Sequence, residues 1–482
     1  MNSSKLVLLF QTFQPEEMRW MSKFVRSPFY NSNEKVVELF DYIRKYYPNF
    51  GSPKLEKEKV FDALFPSIPF DDQRLRLLMF RLSEVAEQFL VANRLRQQPF
   101  LYQKHLIDEL ESRSLDSMYE KKSKQLSAQL NKEPFRDHHY HEAMWRLNHQ
   151  LYFFHNKERK PSGSHSLAST LHHFDAFYFL SKLRYAGELF NRQNIFTESH
   201  HVLLLSEIRE LIEQAEAFKD KQIFRIYQDV LLLMENNLDE TVYDRLEDNF
   251  VQHLHQIRPA DQASLIRYLI NSTIQLYQNG RLEYLNRQFR LYQLGLDNGL
   301  FFIEQSLPES TFLNIVITAT VLKETVWARN FIEDYQKYLP EQDQHDASHL
   351  ARAYCSAASG NYLESNQLLH QVSRTGMGYM LRVKSLSLRN YFELFLADPS
   401  YFELFLYESK SFEKYIRRNR RISANRALGY QNFIQMLRKI GKLRSSQLLL
   451  DKTELDKLKE EISSTEVLVA KKWLLDKLTD LS

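Results

Sequence analysis

Glycine is scarce in this chain, with 11 in 482 residues, against an average share of about 7%. Strands, tight hairpins and phosphate-cradling loops all draw on glycine, so the shortage favours helices. No alternating apolar run bounded by turn signals marks a strand. No P-loop, dinucleotide fingerprint or nucleophile elbow occurs. Gly376 and Gly378 are a fragment of a glycine-rich loop and read as a turn. The lone cysteine, Cys355, excludes an intramolecular disulfide and points to a reducing compartment. It sits among Ala351, Ala353, Ala357 and Ala358 and reads as a packing thiol. No run approaches the ~18 apolar residues of a membrane span. The apolar start at positions 6–10 is shorter than a signal-peptide core of about 7–15 residues. The expected location is the cytoplasm.

Hydrophobic residues make up 43% of the chain and aromatics 13%, enough to fill a large core. The chain is longer than a usual single globular domain. A stack of helical hairpins escapes that limit, because its core grows along one dimension. The clearest such pattern lies at positions 311–372. Phe312, Ile315, Val316, Ala319 and Leu322 share one helical face. Ala328, Phe331, Ile332, Tyr335, Tyr338 and Leu339 form a second, closed by Pro340. Leu350, Ala353, Tyr354, Ala357 and Ala358 form a third. After Gly360-Asn361, Tyr362, Ser365, Leu368, Leu369 and Val372 form a fourth.

Trp327 and Tyr362 open the second helix of successive hairpins, 35 positions apart. Tetratricopeptide repeats have a period of about 34 residues. Gly360-Asn361-Tyr362 resembles the inter-helix turn of that repeat. Ala353, Ser365 and Leu369 fall where it prefers glycine, alanine and an aromatic. His349, Arg352 and Ser356 depart from its tryptophan, leucine and tyrosine. The whole chain also resembles a family of uncharacterised bacterial helical proteins. The matching segments are Phe24-Val25-Arg26-Ser27-Pro28-Phe29-Tyr30-Asn31, Leu64-Phe65-Pro66, Trp327-Ala328-Arg329-Asn330-Phe331-Ile332 and Lys472-Trp473-Leu474-Leu475. That resemblance implies an all-helical fold and carries no activity.

The expected fold is all-α: an N-terminal helical unit, then an α-solenoid of tetratricopeptide-like hairpins. Residues 1–98 form the first unit, with Pro15, Asn33 and Asp71 or Asp72 starting three of its helices. Residues 99–165 are connector hairpins ending in the linker Lys157-Glu158-Arg159-Lys160-Pro161-Ser162-Gly163-Ser164. Residues 166–450 are the array and 451–482 its capping helices. Tyr391-Phe392-Glu393-Leu394-Phe395-Leu396 recurs at 401–406, with Asp398-Pro399 between. One copy ends a helix and the other starts the next. Ser411 and Ser423 are read as caps of two further short helices.

Histidines cluster at His138, His139, His141, His149 and His155. His138 and His141, with Glu142, share a face that a divalent ion could use. Trp145 stands where a zincin helix needs its second histidine. Glu198 and His201 have di-iron spacing, but no second pair accompanies them. The expectation is therefore no catalytic residue, no metal and no cofactor.

Charge stands out more. Positions 410–444 hold eleven bases and one acid, Glu413, a formal balance of +10, while 207–248 hold twelve acids and five bases. Lys414, Arg417, Arg418 and Arg421 lie at helical spacing, with Arg420 and Arg426 nearby, and Arg438, Lys439, Lys442 and Arg444 continue the run. Planar guanidinium forks suit carboxylate and phosphate oxygens. The expected role is a protein–protein interaction scaffold whose basic face meets an acidic partner. Nucleic acid is the alternative occupant of that face. A solvated face, or one paired with the chain's own acidic helices, is the bland reading.

Overall fold

The computed structural model describes residues 4–153, 163–195, 201–219, 221–235, 239–278, 280–373, 376–445 and 452–481. The linker residues 157–162, His155, Glu198 and the expected boundary at 450/451 lie outside the described residues. Among those described, every named element is helical, and the one β pairing is a single bridge between Ile303 and Ser306. No described helix is long and apolar enough to cross a membrane.

The chain divides into two compact units, residues 1–133 with 142–173, and residues 134–141 with 174–482. The first contains α1 (Lys5–Gln11), α2 (Pro15–Phe24), α3 (Glu34–Arg44), α4 (Lys57–Leu64), α5 (Asp72–Gln97), α6 (Pro99–Ser112) and α7 (Asp116–Leu130). Two further helices, α8 (His138–Phe153) and α9 (Gly163–Ile195), contribute to both units.

Local chemistry sets most starts in the first unit. Asn33 accepts a hydrogen bond from the Lys35 amide, and Asp71 one from the Arg74 amide, filling donors that a helix start leaves open. Pro15 opens α2, and Glu17 reaches back to the Gln14 amide at 2.9 Å. The other Glu17 oxygen accepts from buried Asn93 of α5 at 3.0 Å, so one carboxylate caps one helix and ties it to another. The apolar start is a core helix: Ser4 caps α1, and Leu6, Val7 and Phe10 are buried. Helix α5 packs on α1, α2, α3, α4 and α6. Its stripe of Leu75, Leu78, Leu82, Val85, Ala86 and Phe89 is buried throughout.

The second unit continues with α10 (Leu205–Gln214), α11 (Gln222–Glu235), α12 (Glu240–Gln252), α13 (Pro259–Gln278), α14 (Glu283–Asp297) and α15 (Glu309–Val321). Then come α16 (Thr325–Tyr335), α17 (Glu341–Ala358), α18 (Tyr362–His370), α19 (Met377–Ala397), α20 (Phe402–Arg418), α21 (Ala424–Ser445), α22 (Lys452–Ser464) and α23 (Lys471–Leu481). From α11 to α21 each helix packs on the next, α15 and α19 also touch α17, and α23 packs on α21 and α22.

The four stripes at 311–372 become α15 to α18. Gly360 takes φ +82° between α17 and α18, a region glycine enters without steric penalty. Ser365 donates to the Ala353 carbonyl at 2.8 Å, and Asn390 of α19 donates to Ser365 Oγ at 2.8 Å and Asn366 Oδ1 at 2.9 Å. A polar side chain where the repeat prefers alanine thus joins three helices. Cys355 is buried, and burial pushes its thiol up to about 11.

The two echoed segments end α19 and start α20, where their aromatic faces meet: Phe392 and Phe395 lie 5.4 and 6.1 Å from Phe405. Ser411 is not a cap. Phe405, Ser409, Phe412 and Ile416 form one unbroken buried stripe, so α20 runs straight through it. Tertiary burial outweighs the cap preference of serine here. Ser423 immediately precedes α21.

Gly295 marks a close approach. The chain turns at Gly299 (φ +66°) and folds the buried Phe301 ring against Gly295, where a Cβ would overlap it. Alanine would gain about 0.8–1 kcal/mol of helix propensity, set against an overpacking cost of about 1–3 kcal/mol. The expected result for Gly295→Ala is a net loss on the order of 1 kcal/mol in urea unfolding. An unchanged or raised midpoint would show that the ring moves freely aside.

Candidate partner-binding face

Helix α20 is amphipathic for a simple reason. Its buried stripe leaves Lys410, Lys414, Arg417 and Arg418 on the opposite, exposed side. With Glu413 they line a shallow open depression of about 430 Å³. Glu413 accepts from Arg438 at 2.7 Å and from Arg417 at 3.2 Å. The hydrogen bond and charge of Arg438, with the charge of Arg417, hold its carboxyl below the usual range. Among the described residues no acid pairs with Lys410, Lys414, Arg418, Arg420, Arg421 or Arg426.

The six expected positions are all exposed. Lys414, Arg417 and Arg418 share the depression. Arg420 and Arg421 lie in the turn after α20, and Arg426 on the first turn of α21. Lys410 completes the row and was visible from its spacing of four to Lys414. The continuation of the run is partly inward: Arg438 also donates to Ser409 at 2.8 Å, and Lys439 pairs with Glu461.

Two features decide what such a face can meet. The acids of 207–248 pair locally: Asp229 with Arg245, Glu235 with Arg209, and Asp244 and Glu247 with Arg287. Among the described residues none of them pairs with a cation of 410–444. The interleaved aromatics also face inward. Phe412 and Tyr430 are buried, their rings 5.5 Å apart, and Tyr415 is half-buried under Lys384. They offer no stacking platform for bases.

The histidine reading is rearranged. Glu142 pairs with Arg146 at 2.9 Å. His138 instead joins Asp137 and Asp261, all three buried, with potential ligand atoms within 4.8 Å of one another. Two guanidiniums hold these carboxylates: Arg258 donates to Asp137, and Arg184 to Asp261 at 2.8 Å. The charges already balance, so a divalent ion would add uncompensated charge to a buried site. The arrangement ties the 134–141 segment to α9 and α13 within the second unit. Arg258 also lies 4.9 Å from the Phe135 ring.

Burial, aided by neighbouring His139, holds His138 below its ordinary value against the pull of Asp261 and Asp137. Burial raises Asp137, but the hydrogen bond and charge of Arg258 and the Tyr140 amide bring it below its ordinary value.

No family model, curated protein or solved structure matches the chain. The resemblances to tetratricopeptide repeats and to the bacterial helical family have no counterpart there, and the all-helical fold is what stands.

A pH dependence follows from the buried cluster. The unfolded chain protonates His138 near pH ~6.5 while the folded chain does not, so its contribution is full above that value and falls below it. The lowered Asp137 contributes above pH ~3.9 and is lost only as pH falls through its folded value. The melting temperature is expected to decline below pH ~6.5, with a flatter decline in His138→Gln between pH ~6.5 and ~5. Identical slopes in the two proteins would remove His138 from the acid limb.

Proposed function

We propose that this chain is a non-enzymatic interaction scaffold that docks an acidic protein segment on the exposed face of α20. The second unit is read as a helical-repeat array, because each helix from α11 to α21 packs on its successor and alternate helices meet at α15, α17 and α19. An array of this kind presents long surfaces without needing a catalytic cavity.

The observation that carries the partner is the row of exposed, acid-free cations at Lys410, Lys414 and Arg418. Self-pairing with the acidic 207–248 segment does not occupy them among the described residues. The aromatics inside the run turn inward and Tyr407, three positions before Lys410, is a single exposed ring beside it; a carboxylate-rich protein is preferred over single-stranded nucleic acid because binding by stacking draws on several rings. Exposed cations of one sign speed capture of an oppositely charged partner and make binding fall with salt.

The test measures anisotropy of a labelled polyglutamate peptide and, separately, of a labelled oligothymidine. The peptide is expected to bind at low salt and weaken as salt rises. The triple variant Lys410→Glu, Lys414→Glu, Arg418→Glu is expected to bind about tenfold more weakly, since three exposed contacts together supply ~1.4 kcal/mol. Tighter binding of oligothymidine would transfer the face to nucleic acid. No binding of either, or an unaffected triple variant, would leave it a solvated surface.

A further inference from the structure

The sixteen histidines of the chain contain one pair at a spacing of four, His345 and His349. Both lie on α17 in the second unit, and neither belongs to the conspicuous cluster at 138–155. A spacing of four is about one helical turn, and helical side chains lean toward the helix start, so the second ring lies over the first. The ring centroids are 4.2 Å apart and the ring planes 34° from parallel. His345 is 64% exposed and His349 half-buried, which puts the pair at the surface of α17.

The backbone and a buried acid fix the ring nitrogens. His349 Nδ1 lies 2.7 Å from the His345 carbonyl, an oxygen that can only accept, so Nδ1 carries the proton. His345 Nδ1 lies 3.0 Å from Oδ1 of buried Asp346, whose carboxylate also accepts from the Ser373 amide and hydroxyl. An ionised carboxylate likewise only accepts, so the proton of His345 is on Nδ1 too. Each neutral imidazole then keeps its lone pair on Nε2. Among the described residues neither Nε2 has a hydrogen-bond partner. A ring N–H given to a carboxylate or a backbone carbonyl is the arrangement that orients a metal-ligating histidine and raises its basicity. Arg352, three positions after His349, is drawn aside by Glu333 at 2.9 Å and Gln336 at 3.3 Å.

We propose that His345 and His349 chelate a divalent transition-metal ion of the zinc class through their two Nε2 atoms. Imidazole nitrogen suits zinc, copper and nickel, whereas calcium and magnesium take oxygen ligands. Two nitrogens bound to one tetrahedral ion at about 2.0–2.1 Å lie roughly 3.3 Å apart. Rings already 4.2 Å apart at their centres reach that separation by small rotations of surface side chains. Among the described residues no third histidine, cysteine or acid joins the pair, so the ion's other positions go to water. An ion at the surface keeps that water, and so escapes the desolvation that a buried site such as Asp137–His138–Asp261 would impose. The pair uses no residue of the α20 row, so either proposal can fail alone.

The test titrates Zn²⁺ into the full chain by calorimetry, with Mg²⁺ as the oxygen-seeking control. His345→Gln, His349→Gln and the double variant are compared with His253→Gln plus His255→Gln, a pair without the one-turn spacing. Chelation makes the second nitrogen intramolecular, so losing either imidazole is expected to weaken Zn²⁺ at least about tenfold, and losing both little more. The 253/255 variant is expected to bind as the native chain does, and Mg²⁺ to give no signal that the α17 variants remove. A second measurement needs no variant and so does not depend on one folding. In the native chain Zn²⁺ is expected to protect His345 and His349, but not His255, from acylation by diethyl pyrocarbonate, read by peptide mass spectrometry. No Zn²⁺ binding, binding untouched by the α17 variants, losses from the two single variants that merely add, or unprotected rings would each overturn the proposal.

Discussion

A guanidinium taken out of water needs a counter-charge, and the second unit is organised by that requirement. Helices α9, α10, α14, α17, α19 and α21 carry half-buried arginines beside their apolar stripes. Where the seam supplies an acid, the pair becomes a joint between helices. Arg287 of α14 is held by Asp244 and Glu247 of α12. Arg184 of α9 is held by Asp261 of α13. These pairs contribute less by attraction than by what their loss would leave behind, because a stranded buried charge costs several times the value of the pair.

The same requirement separates two kinds of unpaired cation. Those on the exposed side of α20 are solvated, so water already compensates them. An anion there gains little per contact, is screened by salt, and is recognised by the sum of several weak contacts. Arg382 and Arg389 sit in the seam, where water compensates them less.

Much of the fold could be read from the chain because its signals are local. Asn33 and Asp71 announce helix starts with their own side chains, Gly360 marks the α17–α18 turn, and Asp398-Pro399 marks the break between the echoed segments. Apolar spacing located the buried faces of α5, α15 and α17 for the same reason. Ser411 misled because its cap preference is local while the stripe that overrides it belongs to the core of the unit. The site was less legible. Charge density pointed to Lys414, Arg417 and Arg418, but it could not distinguish them from Arg438, which turns inward to Glu413. Nor could it pair Asp137 with Arg258, 121 positions away.

The buried histidine cluster shows why residue identity alone does not make a metal centre. Asp137, His138 and Asp261 offer a plausible ligand set by chemistry and by spacing. What decides is the next layer. In metal sites that layer orients its ligands by hydrogen bonding and leaves their negative charge for the ion. Here the next layer is two guanidiniums, which consume that charge. The cluster is thereby a structural joint with a titratable imidazole inside it.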